Sequence, residues 1–331
     1  MKFTALIAVC SLSFIVLSAL PSSSNQQYSP KVELEHSSNL QAQLPSRREN
    51  QNMKAIADNP QPEKLVSGLK FAEGPVWDSR GFLLFSDTPA NTLYKLTSNN
   101  ELEVFRRPAG NPNGNTFDRE GRLVTAQHDH RVTRTQKDGI VTLASQYQGK
   151  KLNSPNDIVV KSDGSIYFTD PPYGVSKQAE ELGFYGVYQI KDGKLILLVK
   201  DIERPNGLAF SPDEKKLYIN DSQAGNIRIF DVKADGTLEN GRVFADMKVP
   251  GQEPLADGLK VDIQGNVYST APGGICIFSP QAKLLGKILL PENPTNVAWG
   301  DRDYKTLYIT TYNSIYRVRL KIPGIKPGTR E

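Results

Sequence analysis

A short pattern of polar and apolar positions recurs six times along the chain. Each copy starts with a polar residue, usually followed by Gly or Asp, and continues into a short apolar run. An Asp/Gly-type turn and a second apolar run with aromatic residues follow, as in NDIVVKSDGSIYFTD. Alternation and β-branched or aromatic content predict strands throughout, and most copies add a third strand. The copies begin at Glu73, Asn113, Asn156, Asn206, Asp257 and Thr295.

The spacing of these copies predicts an all-β fold, a six-bladed β-propeller over residues 63–321. Successive copies start roughly 40 to 50 residues apart, which is typical of propeller blades with three or four short strands each. The segment EKLVSGL, residues 63–69, is left over before the first copy. We expect it to supply the outer strand of the last blade and close the ring, which removes free sheet edges. An open β-sandwich is the alternative.

The two ends of the chain differ from the repeats. Residues 1–20 place Lys2 before an apolar run that ends at Leu20, which indicates a signal peptide and an exported protein, periplasmic or secreted. A retained membrane anchor is the alternative. Residues 21–62 are rich in Ser, Gln, Asn and Pro and predict a disordered or loosely held linker. Residues 322–331 form a short tail.

Composition narrows the function classes. The chain has 38% hydrophobic and 23% charged residues, as globular proteins do, and its net charge of +4 is not gathered in a basic block. Nucleic-acid binding therefore has little support, and no segment indicates a stable protein partner. Cys10 lies in the leader, so Cys276 has no partner for an internal disulfide. With three histidines in the whole chain, a Cys/His zinc site is not expected.

The polar residue that opens each copy is the main candidate for chemistry. The first strand of each propeller blade lines the central channel, so these side chains face the channel entrance. Buried charge is costly unless it is paired or bound to a metal, and carboxylate and amide oxygens suit a hard cation such as calcium. A hydrogen-bonded polar plug is the alternative. The candidate ligands of one divalent cation are Glu73, Asn156, Asn206 and Asp257.

A cation at this position would support hydrolysis. It would polarise a carbonyl oxygen and stabilise the oxyanion formed when water attacks. Asp257, the shorter of the two acids, is the candidate general base, while Glu73 serves as a ligand. The chain has no GxSxG motif and no evident Ser–His–Asp set, which argues against a covalent serine mechanism.

Six ordered motifs resemble the gluconolactonase/regucalcin-like (senescence marker protein) family of six-bladed propeller lactonases, in its bacterial gluconolactonase branch. The resemblance covers about residues 63 to 320 and rests on EGPVW, NGNTFD, LNSPNDIVVKSDGSIYFTDPPYG, RPNGLAFSPDEKKLYIND, DGLKVDIQGNVY and ENPTNVAWG. It implies hydrolysis of a sugar lactone with a catalytic divalent cation, usually Ca2+, with Mg2+, Zn2+ or Mn2+ as alternatives.

The resemblance also assigns residues. It implies metal ligands at Glu73, Asn206 and Asp257, with Asp257 as the general base. Asn156 corresponds to a direct ligand in some branches and to a substrate or water contact in others. The animal branch carries an Arg where this chain has Ser154, so we expect its sugar recognition to differ.

Further candidates surround the predicted entrance. Asn113 and Asn156 are candidate substrate contacts, and His128 and Arg131 are candidates for contacting a sugar hydroxyl and a lactone or carboxylate product. Tyr173, in the long insertion DPPYGVSKQAEELGFYG, is placed to stack on a sugar ring. Plain surface or packed loops are the alternatives for these segments. Asp157 fills a position occupied by Gly in four other copies, so we expect it to hold the turn or a group behind the ligands.

The sequence is also compatible with two other functions. Related propellers use the same kind of oxygen-bound ion to cleave other esters or organophosphates, and many propellers bind ligands without catalysis. The presence of two carboxylates favours catalysis over plain binding.

Overall fold

The computed structural model describes residues 53–328, and these contain six four-stranded antiparallel sheets arranged as propeller blades. The predicted signal segment, and the predicted linker as far as residue 52, lie outside the described residues. Within residues 53–328, no helix has the length and apolar character that crossing a membrane requires.

The strands follow one another along the chain, blade by blade. The first strand, β1 (Glu63–Ser67), precedes blade 1. Blade 1 contains β2 (Ala72–Asp78), β3 (Phe82–Asp87), β4 (Thr92–Leu96) and β5 (Leu102–Arg106). Blade 2 contains β6 (Pro112–Phe117), β7 (Leu123–Gln127), β8 (Arg131–Gln136) and β9 (Gly139–Ala144), and a small hairpin follows, β10 (Gln146–Tyr147) with β11 (Lys150–Lys151). Blade 3 contains β12 (Ile158–Val160), β13 (Ile166–Asp170), β14 (Gly186–Lys191) and β15 (Lys194–Val199).

The remaining three blades repeat the same order from the channel outward. Blade 4 contains β16 (Pro205–Phe210), β17 (Lys216–Asp221), β18 (Asn226–Val232) and β19 (Leu238–Asp246). Blade 5 contains β20 (Leu259–Val261), β21 (Val267–Ala271), β22 (Gly274–Phe278) and β23 (Leu284–Leu289). Blade 6 contains β24 (Pro294–Gly300), β25 (Thr306–Thr311) and β26 (Ser314–Arg319).

Blade 6 takes its fourth strand from the start of the domain. Its sheet has the order β1-β26-β25-β24, with Glu63 opposite Arg317. The prediction that residues 63–69 close the ring is therefore confirmed. Large aromatic side chains pack between neighbouring blades, as where the rings of Tyr268 and Trp299 meet edge to face at 4.8 Å.

The inner strands of neighbouring blades touch at the upper end of the channel, which we define as the end where these strands begin. The amide of Gly207 in blade 4 donates to the carbonyl of Asp257 in blade 5 at 2.9 Å. A Cβ at Gly207 would lie 2.5 Å from that same carbonyl oxygen. Glycine after the opening polar residue therefore allows two backbones to approach closely, which places the polar side chains of adjacent blades side by side.

The aspartates that end second strands hold neighbouring turns. Asp87 accepts from the amide of Lys70 at 2.9 Å, and Asp170 accepts from the amide of Asn153 at 2.9 Å. Asp221 does the same for the turn before β16. These carboxylates fix the loops that lead into the inner strands.

Part of the predicted linker belongs to the propeller. Residues 53–56 form one helical turn, and Met53 and Ile56 are buried in the core cluster of the last blades. The carbonyl of Ile56 accepts from the amide of Lys321 at 2.8 Å. Apolar side chains tie this turn to the sheet, so residues 53–56 are not loosely held as predicted.

The predicted tail also lies against the domain as far as residue 328. Gly324 forms a β-bridge with Asp262 below blade 5, and Gly328 packs against the backbone of Phe117 and Asp118 below blade 2. Blades 5 and 2 stand opposite each other in a six-bladed ring. Residues 324–328, the strap hereafter, therefore cross the lower opening of the channel.

Candidate active site

Buried oxygen atoms without hydrogen-bond partners gather at the upper end of the channel. They are Glu73 Oε1, Asn113 Oδ1, Asn156 Oδ1 and Asn206 Oδ1, and each comes from the start of the inner strand of a different blade. A buried polar atom left unpaired costs about 1–3 kcal/mol. The recurrence of this cost at four equivalent positions indicates a site built to receive a positively charged or hydrogen-donating group.

The amide of Asn113 is oriented by His128. Its Nδ2 lies 3.1 Å from His128 Nε2, so its Oδ1 is left without a protein donor. Burial and the nearby His130 lower the pKa of His128 to about 4, which keeps the ring neutral at neutral pH. Because Nε2 accepts this hydrogen bond, the ring proton resides on Nδ1.

The amide of Asn206 is oriented in the same way by a different partner. Its Nδ2 donates to Ser222 Oγ at 3.0 Å and lies 3.5 Å from the hydroxyl oxygen of Tyr173. Ser222 Oγ in turn donates to the carbonyl of Ala256 at 2.8 Å, next to Asp257. Both amides therefore use their nitrogen on the protein and leave their oxygen unpaired.

The two carboxylates of the cluster interact strongly. Glu73 Oε2 accepts from Asn296 Nδ2 at 2.9 Å and from the amide of Gly74. Burial raises the pKa of Glu73 to about 7, and the charge of Asp157 adds to the effect. Burial also raises the pKa of Asp257 well above its usual range, with further contributions from Glu73 and Asp157. Charge on both acids is therefore unfavourable unless a cation offsets it.

The donor set fits a hard divalent cation. Glu73, Asn156, Asn206 and Asp257 offer carboxylate and amide oxygens, the ligands preferred by calcium and magnesium. Among residues 53–328, no group of three or more Asp, Glu, His or Cys side chains could hold a metal. A cation at this end of the channel would therefore depend on the amides.

A second polar layer lies directly below the cluster. Lys260 Nζ lies 3.2 Å from Asp157 Oδ2, and Asn296 Nδ2 lies 3.5 Å from the same oxygen. Asn296 also binds Glu73, so the two layers are connected. Neither Asn296 nor Lys260 was among the predicted site residues. A signal was present for Asn296, because it and Asp157 are the residues that replace glycine after the opening position.

The insertion of blade 3 packs onto the entrance. A Cβ at Gly174 would lie 2.6 Å from His128 Cβ, and the amide of Gly174 donates to Ser154 Oγ at 2.8 Å. Ser154 Oγ also donates to the carbonyl of Pro171 at 2.7 Å. Ser154 therefore holds the loop that carries Tyr173, whose side chain is 43% exposed at the rim.

A second aromatic group, missed in the sequence, borders the site. Tyr312 stacks on Phe71 with ring centroids 5.1 Å apart. Burial raises the pKa of Tyr312, and the charge of Asp257 adds to the effect, so the two side chains interact electrostatically. Its turn follows β25, where the repeat pattern carries no distinctive residue.

Three residues near the cluster, Thr295, His130 and Arg131, have partners within the protein. Thr295 Oγ1 donates to the carbonyl of Ala72 at 2.6 Å and joins blade 6 to blade 1, so it does not offer its oxygen to the cluster. His130 Nδ1 donates to the carbonyl of Asn153 at 2.6 Å and secures a loop. Arg131 pairs with Asp129 at 3.1 Å on the same turn as His128.

Fold and site together define a class: a six-bladed propeller with carboxylates and amides converging at one end of its channel. The chain belongs to the SMP-30/Gluconolactonase/LRE-like family, whose sequence profile matches residues 71–313. A gluconolactonase of Zymomonas mobilis is 35% identical, with 82% of this chain and 84% of that protein covered.

Two solved structures extend the comparison. A gluconolactonase from Xanthomonas campestris has a TM-score of 0.74 and 34% identity, covering 81% of this chain and 92% of that one. A calcium-binding protein, regucalcin, from Agrobacterium tumefaciens has a TM-score of 0.68 and 17% identity, covering 84% and 97%. The second likeness shows the shared fold alone.

Proposed function

We propose that the protein hydrolyses a sugar lactone, as a gluconolactonase does, at the upper end of the channel. The observation that supports this most directly is the buried pair Glu73 and Asp257 among unpaired amide oxygens. A binding protein has no need of a carboxylate with a raised pKa beside its ligand, whereas attack by water needs a base. Membership of a family that includes two similar gluconolactonases makes a lactone the proposed substrate.

The cluster would hold a divalent cation through Glu73, Asn156, Asn206 and Asp257. Calcium is the first choice because hard oxygen ligands suit it and because regucalcin shares the fold. When bound, the cation supplies a Lewis acid for the lactone carbonyl and reduces the cost of negative charge on the carbonyl oxygen. It would also offset the mutual repulsion of the two acids.

Asp257 carries the proton in the proposed reaction. The oxygen of water forms a bond to the carbonyl carbon while Asp257 accepts the proton that the water loses. The ring C–O bond then breaks, and Asp257 returns the proton to the departing ring oxygen. The product is an aldonic acid with a free hydroxyl group, and Asp257 is restored as a carboxylate. The new carboxylic acid then releases its proton to solvent and becomes the aldonate.

The neighbouring side chains orient the substrate. His128 is neutral and uses Nε2 for Asn113, so its Nδ1–H is available to donate to a sugar hydroxyl. Tyr173 and Tyr312 present ring faces at the rim, where a sugar ring can stack. Arg131, at the start of β8, remains a proposed contact for a lactone or carboxylate.

A pH-drop assay on a substrate panel tests the proposal. The panel contains glucono-1,5-lactone and other sugar lactones, aryl esters and a fluorophosphate. We expect hydrolysis of sugar lactones, its loss after thorough chelation, and its recovery with calcium, magnesium, manganese or zinc. No hydrolysis of any lactone by the cation-loaded protein would refute the function, and full activity after chelation would refute the metal requirement.

We also propose that the protein is exported to the periplasm or secreted. The basis is the apolar run that ends at Leu20. N-terminal sequencing of the mature protein tests this, and an intact Met1 in a cytoplasmic fraction would contradict it.

A further inference from the structure

A separate cavity of about 400 Å³ occupies the lower half of the channel, at the opposite end from the candidate active site. Its walls are mainly apolar side chains of the inner strands: Val76, Val159, Phe210, Val261, Ala298 and Trp299. Ile325 and Pro327 of the strap cover part of its lower side. The lining also includes Pro212 and Asp213, which are exposed, so the cavity reaches the surface beside blade 4.

The upper end of this cavity carries one positive charge. Lys260 lines it, and the side chain is 23% exposed. Its ammonium lies 3.2 Å from Asp157 Oδ2 and donates to the carbonyl of Leu259 at 3.0 Å. An ammonium has three donors, so these two contacts leave one N–H for an occupant of the cavity.

The lining includes a second cation, Lys326 of the strap, whose ammonium lies over the ring of Tyr304, and two further polar groups of the lining are engaged with protein partners. Asn115 donates to the carbonyl of Gly74 and to Ser86 Oγ, both at 2.8 Å, and accepts from Thr125 Oγ1 at 3.0 Å. Glu214, at the lower rim, pairs with Lys161 at 3.0 Å. A polyhydroxylated sugar would therefore find few free partners here, in contrast to the upper end.

Size, wall chemistry and charge together select a class of ligand. The volume falls within the range of about 300–1,000 Å³ that is typical of small-molecule pockets. Apolar walls favour a hydrocarbon body, and a single cation at the inner end favours one anionic head. We propose that this cavity binds a small amphipathic carboxylate, with its carboxylate on Lys260 and its hydrocarbon chain along the inner strands. The site is independent of the proposed function.

Binding of three eight-carbon probes tests the charge selectivity. Isothermal titration of the full-length protein compares sodium octanoate, octan-1-ol and octylamine. Octanoate is expected to bind about tenfold more tightly than octan-1-ol, since a hydrogen bond to a charged group contributes at least about 1.5 kcal/mol. Octylamine, a cation at neutral pH, is expected not to bind. Equal affinity for all three probes would overturn the proposal.

A substitution at Lys260 isolates the head-group contact. Lys260→Met keeps an unbranched side chain and removes the charge, so the octanoate affinity is expected to fall to that of octan-1-ol. Because Lys260 also contacts Asp157, binding is the readout rather than activity. Unchanged octanoate affinity in a folded Lys260→Met variant would overturn the assignment.

Tryptophan quenching tests the location with an independent signal. Trp299 lines the cavity, whereas Trp77 stacks on Tyr308 and is not part of the lining. We expect 8-bromooctanoate to quench the fluorescence of wild type and of Trp77→Phe, and to lose most of its effect in Trp299→Phe. Ala298→Leu, which adds bulk to the cavity wall, should weaken the quenching, while Tyr312→Ala at the upper end should not. Quenching of equal strength in wild type and in Ala298→Leu would place the ligand elsewhere and overturn the proposal.

Discussion

The two ends of the central channel are built by the same six inner strands, yet their polar groups behave in opposite ways. At the upper end, oxygen atoms of Glu73, Asn113, Asn156 and Asn206 are buried and unpaired. At the lower end the walls are mainly apolar, and Asn115 is fully engaged. The repeat therefore determines the six-bladed ring. Residues at the start of each inner strand form the candidate active site, and residues further along the same strands pack around the lower cavity.

The boundary between the two ends is the layer of Asp157, Asn296 and Lys260. Asp157 and Asn296 stand where the other inner strands carry glycine, so their side chains fill the space that glycine elsewhere leaves to a neighbouring backbone. Glycine at this position allows neighbouring inner strands to approach closely. Asp157 and Asn296, the two replacements, add a layer of polar side chains below the cluster.

The largest contrast between the two ends is expected from Asp257→Asn. The amide keeps an oxygen in place but cannot accept the proton, so kcat should fall by about 100- to 10,000-fold. Thermal melting should show a folded protein, because the change removes a charge that burial disfavours. Thr116→Val, in the wall of the lower cavity, is the matched control and should keep kcat within about threefold. A kcat for Asp257→Asn within tenfold of wild type would contradict the assignment.

The next largest effect is expected from pH on the stability of the cation-free protein. The pKa of Glu73 is raised from 4.5 to about 7, so the folded, cation-free protein holds a proton that the unfolded chain has released. The contribution of this proton binding to the free energy of unfolding is fully present below about pH 4.5 and is lost as the pH rises through about 7. The melting temperature in chelator should therefore be lower at pH 8 than at pH 5.

Added calcium sharpens this test. The cation needs ionised carboxylates, so it should raise the melting temperature more at pH 8 than at pH 5. Glu73→Gln should flatten the pH dependence and reduce the calcium effect. If calcium changes the melting temperature equally at pH 5 and pH 8, the result would argue for the hydrogen-bonded plug instead of a metal site.

A smaller effect is expected from His128→Leu. The change leaves Asn113 Nδ2 without its acceptor and removes the Nδ1–H donor, which should lower kcat/KM by about tenfold. His128→Gln offers an acceptor oxygen and should recover part of the loss. Steady-state kinetics with glucono-1,5-lactone measures both variants, and equal kcat/KM for wild type and His128→Leu would remove His128 from the site.

The smallest effect is expected from Tyr173→Phe. Its hydroxyl lies 3.5 Å from Asn206 Nδ2, a weak contact, and Asn206 retains its bond to Ser222. KM should rise less than about threefold, whereas Tyr173→Ala, which also removes the ring face, should raise it further. Identical KM values for the two variants would exclude stacking by Tyr173.

The parts of this architecture that recur were predictable from the sequence. Six in-phase copies fixed the number of blades, and the leftover residues 63–69 indicated the closing strand because a propeller sheet needs a fourth member. The opening residues, from Glu73 to Asp257, were predictable as neighbours because each holds the same place in its blade.

Features that are present in only one blade or outside the repeats were not predictable from the sequence. Lys260 sits within a short strand, where a lysine is usually an outward-facing residue, and only the closed ring turns it toward Asp157. Ser222 and Tyr312 reach the site from turns that differ between blades. Met53 and the strap lie in segments of linker-like composition, and their packing depends on surfaces that exist only after the ring has formed.

Ring closure has a consequence for biosynthesis. Glu63 and Arg317, which are ion-paired across β1 and β26, are separated by 254 residues. A ribosome makes β1 first among the strands and its partner last. The early strand must wait through nearly the entire synthesis of the domain, with its backbone edge unsatisfied, before the circle can be completed. A chain that ends before β26 therefore lacks the partner of β1 and cannot close the ring.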